Sequence, residues 1–418
     1  MTSSGIIPSA PAAIGELAQS RGVRECLQWF AREKQWINEQ HIQLCRIPAP
    51  TFLEQRRAEW MRDQFHLIGC EAEIDRAGNV IARLDSDVSK PFIALTAHLD
   101  TVLAPRNRDE VIVDPDGTIH APGASDNGAG LAALLAVAHA MKSSPPIEGA
   151  RNAALFVANV GEEGEGNLSG MRYLARQSAL ASGVSAYLVL DGPCLERITA
   201  QALASRRFEI SFNGPGGHSW SDYGNANPVH ALSRAIVWFT ERCENAMIPS
   251  ADACGPRSSF NFGMIEGGMS INSIPAVARA KVDLRSENNA KIDELVDALA
   301  DAVERARDAE NQHATGARLT AKLKEIGSRP GGQLAPDAPL LAAIRAVDNH
   351  LNIRSRLDCA STDANIPLSL GVPAISIGAG GQGGGAHTPS EWYRPEGRDL
   401  GLKRILLTLA LLMREGGA

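Results

Sequence analysis

A chain of 418 residues with 44% hydrophobic content is long enough for two domains, each with its own core. Its formal net charge of −7 and the lack of any dense Lys/Arg run argue against nucleic acid or a membrane surface as principal partner and leave a small-molecule or peptide substrate. Cys26, Cys45, Cys70, Cys194, Cys243, Cys254 and Cys359 are scattered without a CxxC pair, which suggests reduced thiols. With neither a leader-like N-terminus nor a long apolar span, the expectation is a cytoplasmic protein.

In chain order, "FIALTA" (92–97), "ALFVA" (154–158), "YLVL" (187–190) and "AISI" (374–377) are short apolar runs of the kind buried on both faces of a sheet. Helical stretches at 128–142, 168–181 and 398–415 accompany them, so the spacing predicts a helix-covered, mostly parallel α/β sheet. Between about 203 and 330 the pattern changes. In "RRFEISFNG" and "ARAKVDLR" apolar and polar residues alternate, giving strands with one wet face. With "SFNFGM" (259–264), "RLTAKL" (318–323) and helices over 227–242 and 290–312, the order is β-α-β-β-α-β. A ferredoxin-like domain of residues 203–330 is therefore expected inside a discontinuous domain of 1–202 and 331–418.

Open α/β sheets place their sites at the C-terminal ends of strands. In "ALTAHLDTV", His98 and Asp100 stand two residues apart and leave the same face. A ligating histidine commonly gives its other ring proton to a carboxylate such as Asp100, although a lone HxD is more often a surface pair. Asp126, in "APGASDNGAG", reads alone as a helix cap or turn residue. "VANVGEEGEGN" brings Glu162, Glu163 and Glu165 to the end of an apolar run, Asp191 ends another in "LVLDGP", and His387 lies in the glycine-rich "GGGAHTPSEW".

Taken jointly, these residues resemble the dinuclear zinc peptidases and deacylases: peptidase T, carboxypeptidase G, acetylornithine deacetylase, succinyl-diaminopimelate desuccinylase and aminoacylase. The resemblance runs over nearly the whole chain after residue 23. It implies a zinc-exopeptidase catalytic domain with an inserted lid and dimerisation domain. It also implies two Zn²⁺ per chain, replaceable by Co²⁺ or Mn²⁺. One ion would be held by His98, Asp126 and Asp191, the other by Asp126, Glu163 and His387. Asp126 would bridge them and precede a cis peptide. Two zinc ions against three carboxylates leave one positive charge, which a hydroxide neutralises. Glu162 would act as general base beside that centre, with Asp100 behind His98, while Glu165 has no counterpart.

In the inserted domain, the resemblance makes His218, in "NGPGGHSW", an oxyanion donor reaching across a homodimer, and makes Asn272 and Arg285 substrate contacts. "STDANIPLSLGVPAISIGAGG" looks most like the peptidase T branch and points to short peptides with a free N-terminus; a carboxypeptidase or an N-acyl-amino-acid deacylase is the alternative. Two other classes compete. "GAGGQG" (378–383) fits GxGxxG, but the adjoining "GGAHTPSEWYRPEG" holds two prolines rather than opening a helix. A non-catalytic binding protein on the same fold would have lost ligands or base, whereas this chain keeps them all.

Overall fold

The computed structural model describes residues 10–84, 89–247 and 257–414; Cys254, the first nine residues and Glu415, at the end of the last predicted helix, lie outside them. The chain divides into two compact units, Met1–Ala202 with Gly332–Ala418, and Leu203–Gly331.

At the centre of the first unit, Ala153–Asn159, Phe92–His98, Val184–Leu190 and Ala374–Ile377 lie side by side and parallel. Each is almost wholly apolar, as strands buried on both faces are, and every residue of Phe92–His98 is buried. The sheet is larger than these runs announce. Val80–Arg83 and Glu71–Ile74 extend one side antiparallel, and Arg197–Ala202 extends the other, itself flanked by Gly332–Gln333 and Arg356–Ala360. These edge strands are short and partly polar, so their period is weak. The helix Gly128–Lys142 is buried around nearly its whole circumference, as expected for an all-apolar helix between layers. Helices Arg21–Arg32, Lys34–Cys45 and Gln55–Ile68 precede the sheet. The helix expected over 168–181 ends at Arg176, where the Ser178 hydroxyl donates to Leu174 O and competes with the helical ladder. No helix among the described residues is long and apolar enough to cross a membrane.

The second unit is built on a four-stranded antiparallel sheet ordered Ser258–Gly267, Val277–Ser286, Ala204–Asn213, Thr320–Arg329, with a separate two-stranded pair, Gly217–His218 and Ser273–Ile274. Helices Pro228–Met247 and Asn289–His313 complete the β-α-β-β-α-β order. The alternation has the expected result: Phe208, Ile210 and Phe212, with Ala278, Ala280, Val282 and Leu284, point into one apolar core with Leu232, Phe239, Leu299 and Val303.

Candidate metal centre

The four parallel strands end on the same edge, so the polar residues at their ends converge. His98 closes its strand, Asp191 directly follows Val184–Leu190, and Glu162 and Glu163 follow Ala153–Asn159. Asp126 precedes the helix Gly128–Lys142, but it is not that helix's cap. Asn127 is, accepting from Gly130 N through Oδ1 at 3.1 Å, which leaves the Asp126 carboxylate free to face outward. Asn127 also brackets Asp191, its Nδ2 donating to Leu190 O at 2.8 Å and its Oδ1 accepting from Gly192 N at 3.3 Å. A side chain at Gly130 would put its Cβ 2.3 Å from Asn127 Oδ1, so only glycine permits this approach. The Asp126–Asn127 peptide is cis.

The two oxygens of Asp126 face different histidines. Oδ1 lies 3.0 Å from His98 Nε2, and Oδ2 lies 3.1 Å from His387 Nε2, which is also 2.8 Å from Glu163 Oε1. Three ligand-like sets result: His98, Asp126 and Asp191; Asp126, Glu163 and His387; and His98, Glu162 and Glu163, the donor atoms within each lying within 4.8 Å of one another. Nitrogen and oxygen donors at ~2.0–2.2 Å from a tetrahedral zinc ion stand roughly 3.3–3.6 Å from each other. The hydrogen-bonded N···O separations here, 2.8–3.1 Å, are a few tenths of an ångström shorter, so the donors are already gathered close to that spacing. Mixed imidazole and carboxylate donors also suit a borderline divalent cation.

Asp100 sits at the back of the site with its carboxylate fully buried. It accepts from Glu162 N at 3.0 Å, Glu163 N at 2.9 Å and Thr51 Oγ1 at 2.9 Å. One carboxylate therefore clamps both glutamates. His98 Nδ1 is nearer the Asp100 carbonyl, at 3.0 Å, than its carboxylate, at 3.5 Å, so the backbone is the closer acceptor for the ring. A second clamp, not evident in the sequence, is Glu391. Its buried carboxylate accepts from Gly123 N, Ser125 N, Ser125 Oγ and Asp126 N at 2.7–2.8 Å and fixes the loop that carries Asp126.

The electrostatics come from this crowding. Burial opposes ionisation of Asp126, yet hydrogen bonds from His387 and His98 hold its carboxyl well below the usual range. Those to Asp126 and Glu163 hold the His387 ring up at about 10. Asp191 is pushed up to about 7 by burial and by the neighbouring Asp126, Asp363 and Glu163 charges, with His98 pulling the other way. Such a cluster recruits positive charge, and a divalent cation supplies it without protonating the ligands. Glu165 is exposed on the turn beyond.

The remaining predicted residues belong to the second unit. His218 pairs with Ser273, and Ser219 N donates to Asn272 O at 3.0 Å, so His218 and Asn272 share one end of that unit. His218 Nδ1 accepts from Trp220 N and Ser221 N, which leaves Nε2 as the proton-bearing donor. Arg285 is not brought to that end. It lies eight residues beyond Val277 along its strand, about 27 Å away at ~3.4 Å per residue, with Nε on Asp283 at 2.7 Å. The glycine stretch 378–385 contains the short strand Gln382–Gly384 and does not open a helix, so it lacks the dinucleotide-binding context.

A model described as Peptidase family M20/M25/M40 matches residues 94–411. A succinyl-diaminopimelate desuccinylase of Corynebacterium glutamicum is 24% identical over 337 residues, 80% of this chain and 85% of that one. A probable carboxypeptidase of Uncinocarpus reesii is 28% identical over 211 residues, 47% of this chain and 45% of its own; the chain thus spans about half the length of that curated relative. Among solved structures, a tripeptidase from Staphylococcus aureus superposes with a TM-score of 0.71 at 19% identity, covering 91% of this chain and 99% of that one. Aminopeptidase PepT from Bacillus cereus gives 0.68 at 18%, covering 90% and 98%. At these identities the two superpositions establish a shared fold.

Proposed function

The chain belongs to peptidase family M20/M25/M40, a family of hydrolases acting on amide bonds, and on that premise we propose that it is a dinuclear zinc enzyme cleaving an amide in a short peptide with a free N-terminus. The observation that carries this reading is the Asp126 carboxylate, one oxygen in each of two donor sets completed by His98 with Asp191 and by Glu163 with His387. When bound, zinc lowers the pKa of a coordinated water to about 7 and polarises the scissile carbonyl. Glu162, held by its backbone N–H on Asp100, takes the proton from the attacking water and returns it to the departing amine. Glu163, on the other oxygen of the same clamp, stays a ligand.

His218, with Nε2 as donor, is assigned to the developing oxyanion, and Asn272 beside it to substrate. Arg285, at the other end of its strand, is assigned to a substrate carboxylate by resemblance alone. A cytoplasmic homodimer is part of the same reading, supported by Met264 and Ile265 exposed on the edge strand Ser258–Gly267. Sedimentation at the monomer mass of 44.4 kDa would exclude the dimer.

The test is hydrolysis of a free tripeptide and its N-acetylated counterpart with zinc present. Cleavage of the free peptide alone is the expected result; preference for the acetylated one would favour the carboxypeptidase or deacylase reading, as the desuccinylase and carboxypeptidase relatives suggest. Glu162→Gln should retain two metals per chain while losing ~10²–10⁴-fold in kcat. Full turnover in that variant would remove Glu162 from the mechanism.

A further inference from the structure

The turn Pro50–Glu54 is fastened to the loops of the metal centre at several points. Thr51 Oγ1 donates to Asp100, Glu54 Oε1 accepts from Gly161 N at 3.1 Å, and Pro50 forms a β-bridge with Thr101. Gly166, at the far side of the glutamate loop, approaches so closely that an added Cβ would lie 2.7 Å from Thr51 Cγ2. Between these fastenings Leu53 N donates to Pro50 O at 2.8 Å and closes a tight turn, with Phe52 at φ 74°. That left-handed conformation is one a bulky L-residue adopts at a cost, and turns of this kind ordinarily place glycine or asparagine there.

The phenyl ring gains little burial in exchange. Phe52 is 66% exposed and Leu53 68%, while Val102 and Leu103, just beyond Thr101 on the bridged segment, are 43% and 37% exposed. Four apolar side chains thus stand in solvent on two segments joined at Pro50 and Thr101, one hydrogen bond removed from the carboxylate that holds Glu162 and Glu163. Strain and exposed apolar surface coinciding at the edge of a site point to a ligand rather than to the stability of the fold.

We infer that Phe52 and Leu53, with Val102 and Leu103, form an apolar subsite for a bulky aliphatic or aromatic side chain flanking the scissile amide. The inference rests on the amide-hydrolase reading and narrows its substrates to peptides carrying such a side chain.

The experiment compares zinc-loaded wild type with Phe52→Gly and Phe52→Asn, both of which suit φ 74°. The substrates are matched tripeptide pairs with leucine or alanine at each position in turn. Wild type should prefer leucine at one position, and both variants should lose about tenfold of that leucine-to-alanine ratio in kcat/KM, chiefly through KM. Their melting temperatures should stay level or rise, because the strained conformation is relieved. An unchanged ratio overturns the subsite; so does a lower melting temperature with equal losses on both substrates, which marks Phe52 as a packing residue. Calorimetric titration of the same peptides into the Glu162→Gln protein reads the subsite without turnover, and equal affinity for leucine and alanine peptides there also overturns it. Failure of the wild type to cleave any amide, with leucine peptides still preferred in the titration, would instead count against the hydrolase reading.

Discussion

Glu391 shows how much of a candidate metal site lies behind the side chains that would hold the ion. Its two oxygens accept four hydrogen bonds from the loop 123–126, and among the described residues no other acceptor is in place for those donors. Glu391→Ala leaves them buried and unmet, a loss of about 3 kcal/mol, and frees the Asp126 carboxylate to wander. Zinc affinity should fall ~10–100-fold, the usual consequence of removing a support behind a ligand, and chelator competition would measure it. Unchanged affinity would show that the loop holds its shape alone. His41 braces the same loop, Nε2 donating to Ala124 O at 2.7 Å. Burial, with a contribution from the Arg398 charge, lowers its pKa from 6.5 to about 3. A histidine kept neutral in the folded state contributes stability that is complete above its unfolded pKa and is lost as pH falls toward the folded one. Between about pH 6 and 4, wild type should therefore lose roughly 1.4 kcal/mol per pH unit more than His41→Gln, as read by urea unfolding of the metal-free proteins. Parallel slopes would mean that His41 does not titrate on unfolding. At this scale the histidines and carboxylates that cluster at the strand ends were legible in the sequence, because each follows an apolar run or sits in a glycine turn. Their supports were not: Thr51 lies 49 residues from Asp100 and Glu391 lies 268 from Gly123, and no local pattern marks a polar residue whose partner is that distant.

Between elements, the clearest polar tie joins the helices Pro339–Leu351 and Arg398–Arg414. Arg404 donates to both oxygens of Asp348 at 2.6 Å with both side chains buried, and the Ser355 hydroxyl donates to the same carboxylate. Breaking such a pair from one side costs more than its attraction is worth, because a buried guanidinium is left uncompensated. Asp348→Ala should lose about 3–5 kcal/mol in urea unfolding, while Asp348→Leu with Arg404→Met should recover most of it. Equal losses in both variants would mean that packing volume, not charge, decides. The same contrast explains which elements could be read in advance. The parallel strands announce themselves as apolar runs, and the inserted unit by its alternation. The edge strands Glu71–Ile74 and Arg356–Ala360, being short and half exposed, take their conformation from neighbours rather than from their own sequence.

For the whole chain, the question is why an insertion of this size is tolerated. Ala202 and Gly332, on either side of it, face each other in register on neighbouring antiparallel strands, so the first unit's sheet is continuous across the point of insertion. The inserted residues hold a core of their own, built from two helices and one face of four strands. Both facts predict independence. Residues 203–331 expressed alone should unfold in one cooperative transition with a stability of about 5–15 kcal/mol, and residue 202 joined to 332 by a short turn should still bind two zinc ions. The shortened chain should nevertheless lose ~10²–10³-fold or more in turnover if His218 supplies the oxyanion donor, and should lose it without change in metal stoichiometry. Calorimetry of the two pieces together with zinc titration separates the cases. Two folded pieces with metal retained and activity lost would assign binding to one unit and catalytic completion to the other, whereas full activity of the shortened chain would remove His218 and Asn272 from the site.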